Sequence, residues 1–156
     1  MKSLILLLSL IMLGGCATGP AINSDQLDQS LAYVKRLYRK TSWRYFELCS
    51  VDYIDEGGRK NGARLASIGG ETYAIIPAGP HVVCIDVTLP ADNAFQPVST
   101  KQVIVHAKLE GGKIYRIDLQ RFGDLNFFMI WISDTESNQP VSERVGFSMT
   151  HRGFIP

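Results

Sequence analysis

The sequence predicts a mainly β chain: an antiparallel β-sandwich of about six to eight short strands, preceded by one amphipathic N-terminal helix. Three observations predict it. From Trp43 onward, aromatic and β-branched residues fall into short runs, several with period-two alternation. Glycine pairs and Pro-Gly clusters separate those runs. Before them, from Ser24 to Lys40, apolar residues recur at helical spacing instead.

The helix is placed at 24–41. Leu27, Leu31, Val34 and Tyr38 stand four, three and four residues apart, with Leu37 beside them, and make one apolar stripe. Asn23 or Ser24 can cap the first turn, where Asp25 and Asp28 meet the positive end of the dipole. Lys35, Arg36, Arg39 and Lys40 complement the other end. Two roles stay open for it: packing its stripe on the following domain, or lying on a membrane surface through its basic residues.

The β domain is placed at 42–156. Trp43 to Ile54 ends at the turn cluster Asp55-Glu56-Gly57-Gly58, and Ala63 to Ile68 ends at Gly69-Gly70. Glu71 to Ile76 runs into Pro77-Ala78-Gly79-Pro80. Then His81, Val83, Ile85, Val87 and Leu89 alternate with Val82, Cys84, Asp86 and Thr88, the pattern of a half-buried strand. Val103, Val105, Ala107 and Leu109 alternate likewise and pass through Gly111-Gly112 into Tyr115, Ile117 and Leu119. Glycine reaches the positive φ of primed turns without strain, so this pair of runs reads as a hairpin. Leu125 to Ile132 is the next strand, and Val145–Met149 adds a short one.

Residues 1–15 read as a signal peptide. Lys2 is positive, and Leu4 to Leu13 is an apolar run of about 10 residues, well short of the roughly 20 needed to span a bilayer. Leu13-Gly14-Gly15-Cys16 follows, and it resembles the lipobox of bacterial lipoproteins: an aliphatic residue, two small residues and a cysteine. The resemblance implies cleavage before Cys16, recognition through Leu13, Gly14 and Gly15, and lipidation of the Cys16 sulfur. It implies a membrane as partner. Ala17, where Asp would resemble a retention signal, points to the outer membrane facing the periplasm in a Gram-negative host, and otherwise to a lipid anchor in the cell membrane. Residues 16–23 read as a tether, because Gly19-Pro20 does not start a helix.

Lys2 lies in the leader, so the mature chain would carry 15 basic against 15 acidic residues. That balance calls for no nucleic acid and no anionic substrate. With Cys16 lipidated, Cys49 and Cys84 remain. In an oxidising compartment they are either a disulfide or two buried free thiols.

Tyr73 to Val87, with Pro77-Ala78-Gly79-Pro80-His81 at its centre, resembles the strand, Pro-x-Gly-x-His, strand signature of PEGA-like envelope lipoprotein domains. Leu109-Glu110-Gly111-Gly112-Lys113-Ile114-Tyr115-Arg116-Ile117 is similar to the Gly-Lys-x-Tyr hairpin that follows it there. The matching stretches cover about residues 50–135. The resemblance implies an immunoglobulin-like or transthyretin-like sandwich and carries over no catalytic residue.

No catalytic constellation stands out. His81, His106 and His151 lack metal-ligand spacing. His81 is expected to hold its turn by a hydrogen bond. Asp52, Asp55 and Glu56 read as solvated turn carboxylates before they read as acid/base or calcium groups. No nucleophile elbow, phosphate loop, metal site or cofactor site is present in the sequence. The last long strand is the informative one: Phe127, Met129 and Trp131 form one face, Phe128, Ile130 and Ile132 the other. Both faces are apolar, so a second cover is needed. Either the helix supplies it, or Phe128, Ile130 and Ile132 form a surface for an envelope protein or a second copy. The expectation is a non-enzymatic interaction or structural module of the envelope. The alternative is a small ligand-binding or hydrolytic lipoprotein with a pocket the sequence does not advertise.

Overall fold

The period-two runs fold into two β-sheets in the computed structural model, which describes residues 21–36, 38–40, 45–89, 99–122 and 127–149. Among the described residues the strands are β1 Ala21–Ile22, β2 Leu31–Lys35, β3 Tyr38–Lys40, β4 Tyr45–Ile54, β5 Lys60–Gly62 and β6 Arg64–Ile68. They continue with β7 Glu71–Pro77, β8 Gly79–Leu89, β9 Ser99–Leu109, β10 Ile114–Phe122, β11 Phe127–Asp134 and β12 Val145–Ser148. The seven-stranded sheet has the order β1-β6-β7-β2-β10-β11-β12; the other is β3-β4-β8-β9, with β5 also on β4. The sheets are not purely antiparallel, because β1 runs parallel to β6 and β2 parallel to β10.

One core lies between the sheets. Ala32, Val34, Ala74, Ile76, Ile117, Phe128, Ile130 and Ile132 from the first meet Val51, Val83, Ile85, Val103, Val105 and Leu109 from the second. Residues 140–148 stitch one side shut: Pro140 bridges to Ser133, Ser142 bridges to Ala107, and Lys101 Nζ donates to the Ser148 carbonyl at 3.1 Å. On the other side the chain itself crosses, from β5 into β6.

The expected helix is not formed. In its place stand a three-residue 3-10 turn, Ser24–Gln26, and strands β2 and β3. Asn23 does cap, but it caps that short turn, accepting from the Asp25 amide. Asp28 then ends any helix: its Oδ1 accepts from the amide and hydroxyl of Ser30, and its carbonyl from the Leu31 amide. The apolar stripe splits. Leu27 and Leu31 pack on an outer cluster with Tyr33, Ala66, Ile68, Tyr73 and Ile75, while Val34 enters the main core. A strand buried on both faces satisfies the same spacing as a helix stripe, and β2 is such a strand, sitting between β7 and β10.

The hairpin expected at Gly111-Gly112 is not formed either. This turn joins β9 to β10, but these strands lie in different sheets, so it is an arch between layers and not a hairpin. Gly69-Gly70 makes the primed hairpin instead, with φ of 57° and 84° between paired Ile68 and Glu71. The arch is fixed by side chains: the Glu110 amide donates to the Tyr115 hydroxyl at 2.7 Å, and Lys113 pairs with Glu110 at 2.6 Å.

Asp134 closes β11 in the same way. Its Oδ1 accepts from the amides of Glu136 and Ser137, both at 2.8 Å, and Lys113 Nζ lies 3.6 Å from Oδ2. The Ser137 amide bond holds this carboxyl below its usual value, with Glu136 and Lys113 adding and burial opposing. A depressed carboxylate adds stability above the ordinary aspartate pKa of about 3.9 and loses it as pH falls through the lower folded value. Asp134→Asn should therefore cost about 1–2 kcal/mol at neutral pH, and the gap should shrink below about pH 4. Urea midpoints of both proteins across that range check it. A gap that ignores pH would remove the charge from the account.

Candidate functional site

Leu13, Gly14, Gly15 and Cys16, expected to form the anchor, lie outside the described residues, as does His151. The remaining candidates fall in three places.

The doubly apolar strand β11 comes first. Phe128, Ile130 and Ile132 are 2%, 0% and 0% exposed, so they cannot be the partner surface expected of them. They pack inward, Ile130 and Ile132 opposite Leu119 and Ile117 of β10, with Phe128 stacked on Phe147 of β12 at 5.6 Å. The outward row is the other one. Phe127 stands opposite Phe122, Met129 opposite Gln120 and Trp131 opposite Asp118. No helix covers this row among the described residues. Arg144 holds its guanidinium 4.7 Å from the centre of the Trp131 ring, and Gly146 leaves room for the Phe127 ring, which a Cβ would meet at 2.7 Å. Phe122 and Phe127 are 41% and 37% exposed, their rings 6.3 Å apart. Cross-strand matching was the signal that could have found this: the polar row of β10, Arg116, Asp118 and Gln120, marks the side open to water.

Cys84 is second. It is a free, buried thiol, set on the outer side of β8 between Asp52 and Ile104. Cys49 lies at the register shift of β4, three residues from Asp52; its side chain is outside the described residues. Three strand residues span about 10 Å, beyond the roughly 7 Å that a disulfide allows between Cα atoms, so the register works against the expected bridge. Burial pushes the thiol pKa up, with Asp52 and Asp86 adding and Lys60 opposing. In the folded protein Cys84 should resist iodoacetamide at neutral pH, and unfolding without reductant should make it react. A Cys49–Cys84 crosslinked peptide under those conditions would overturn this.

Third is an open groove of about 360 Å³ lined by Ile54, Asp55, Glu56, Pro80, His81, Val82, His106, Ala107 and Lys108. The expected turn bond of His81 is present: Nε2 lies 2.8 Å from the Pro77 carbonyl, which fixes the proton on Nε2. Its Nδ1 is buried with no hydrogen-bond partner, and the ring meets Tyr53 edge-on at 5.2 Å. Asp55 holds the β4–β5 turn, accepting from the Arg59 amide at 2.9 Å and from Asn61 at 3.0 Å; these bonds lower its pKa. Asp52 pairs with Lys60 at 3.1 Å. These carboxylates are engaged in structural bonds. Among the described residues no three His, Cys, Asp or Glu side chains converge as a metal site would require, and no helix is long and apolar enough to cross a membrane.

Compared with protein-family models, curated proteins and solved structures, the chain matches none.

Proposed function

We propose that this chain is the precursor of a lipoprotein, anchored through lipid on Cys16 to a membrane facing the periplasm. Its β domain serves there as a non-enzymatic interaction or structural module of the envelope. The observation that carries the reading is Leu13-Gly14-Gly15-Cys16 directly after a short apolar run, with β1 beginning only five residues later. The two-sheet domain agrees with the immunoglobulin-like or transthyretin-like sandwich that the resemblance to PEGA-like envelope lipoprotein domains implies. The outward row Phe127, Met129 and Trp131 supports an interaction role, since aromatic and methionine side chains flanked by arginine are enriched where proteins dock.

The experiment starts from the cysteine. Wild type should incorporate radioactive palmitate, and its mature N-terminus should be Cys16 by mass spectrometry. Cys16→Ser should persist as unlipidated precursor. A mature N-terminus anywhere else sinks the proposal. The second reading, a small ligand-binding or hydrolytic lipoprotein, rests on the groove beside His81.

A further inference from the structure

We infer that the end of the domain carrying Phe122 and Phe127 rests on the membrane surface, docking against anionic phospholipid headgroups; this rests on the anchor proposed above. The tether limits what can touch the bilayer. From Cys16 to Ala21 the chain advances five residues, a reach of at most about 18 Å. The register runs from Ala21 through Ser67 and Thr72 to Arg36, and Lys35 sits beside Arg116. Ala21 therefore lies level with about Ile117, some five strand rises, roughly 16 Å, short of Phe122. The tether can span that height. It cannot span the full width of the seven-stranded sheet: β12 lies six strands from β1, about 29 Å, so an orientation resting on β12's edge lifts Ala21 out of reach.

Charge then chooses between the two ends of the sandwich. At the Phe122 end, Arg121 on β10 and Lys101 on β9 are exposed, and the backbone of β3 places Arg39 and Lys40 at this end too, against Glu47 on β4 and Asp86 on β8. Phe122 and Phe127 are both exposed at this end. The opposite end gathers Asp28, Asp55, Glu56, Glu110, Asp134 and Glu136 around Arg59, Lys108 and Lys113. Basic residues near an anionic leaflet are attracted to it, and aromatic rings settle at the headgroup level. The cationic, aromatic end fits that surface, and the acidic end is repelled by it.

The test uses the mature acylated protein in vesicles of phosphatidylethanolamine and phosphatidylglycerol. Phe122, Ile104 and Glu56, all exposed, are replaced one at a time by the photocrosslinker p-benzoylphenylalanine. Lipid adduct should form several-fold more at 122 than at 104 or 56. Lys101→Glu combined with Arg121→Glu should reduce it, as should exchanging phosphatidylglycerol for phosphatidylcholine. An acylated protein that crosslinks as well at 56 or 104 overturns the orientation and leaves the anchor standing. Intact mass showing no acyl chain on Cys16 overturns both.

Discussion

Ile130→Glu should unfold the domain, whereas Met129→Glu, one residue away, should leave it folded. Ile130 is fully buried between the sheets, opposite Leu119 on one side and Val145 on the other. Truncating such a residue costs about 2–5 kcal/mol, and an unpaired carboxylate in the same place adds several more. A domain of this size is stable by only about 5–15 kcal/mol. Met129 belongs to the outward row, half-buried between Gln120 and Gly146, where a carboxylate keeps its water and should cost about 1 kcal/mol. Thermal melts of both proteins read the difference. A folded, wild-type-like Ile130→Glu would mean that the two faces of β11 are assigned the wrong way round. The same pair probes the module reading, because Met129→Glu should keep the melting temperature yet lose a partner crosslinked through this row. If the partner survives that substitution, it docks elsewhere.

The faces of β11 show where sequence reading stops. In β8 and β9 one row is wholly apolar and the other mixed, with Val82, Cys84 and Ile104 among its polar residues, so period and face were both legible, and Val83, Ile85, Val103 and Val105 point inward as expected. In β11 both rows are apolar, and nothing within the strand chooses between them. The choice comes from β10, whose Ile117 and Leu119 pair with Ile132 and Ile130. In β2, burial on both faces erased the difference between a period of two and a period near 3.6. The proposed anchor is a linear motif, read by an enzyme as extended chain, and so it stands wholly in the sequence. The cationic end is assembled from β3, β9 and β10, and no local pattern announces it.

Gly111→Ala should destabilise the domain by about 3 kcal/mol or more, through a clash with backbone and not through backbone strain. The Gly111 φ is not positive, so alanine can adopt it. The obstacle is outside the turn: a Cβ there would fall on the carbonyl of Gln29, with the Cβ of Ala78 also at 3.3 Å. The Gln29 carbonyl cannot step aside alone. Residues beside it are held by the Gly112 amide on the Leu31 carbonyl at 2.8 Å, the Tyr33 amide on Lys113 at 3.1 Å and the Ala78 amide on Ser30 at 2.8 Å. Making room for one methyl means lifting the start of β2 from the arch, and those three bonds with it. Gly112→Ala is the informative comparison. Its φ of 71° penalises alanine by about 1 kcal/mol, and its nearest neighbour is the end of the Gln29 side chain, which can swing away. The arch therefore predicts an order, with Gly111→Ala costing clearly more than Gly112→Ala. A hairpin predicts the reverse, because there the positive φ is what matters. At a few degrees of melting temperature per kcal/mol, Gly111→Ala should melt about 10 °C below wild type. Hydrogen exchange at Leu31 and Tyr33 should quicken in the same variant. If Gly111→Ala melts with wild type while Gly112→Ala does not, the two strands pair as a hairpin after all.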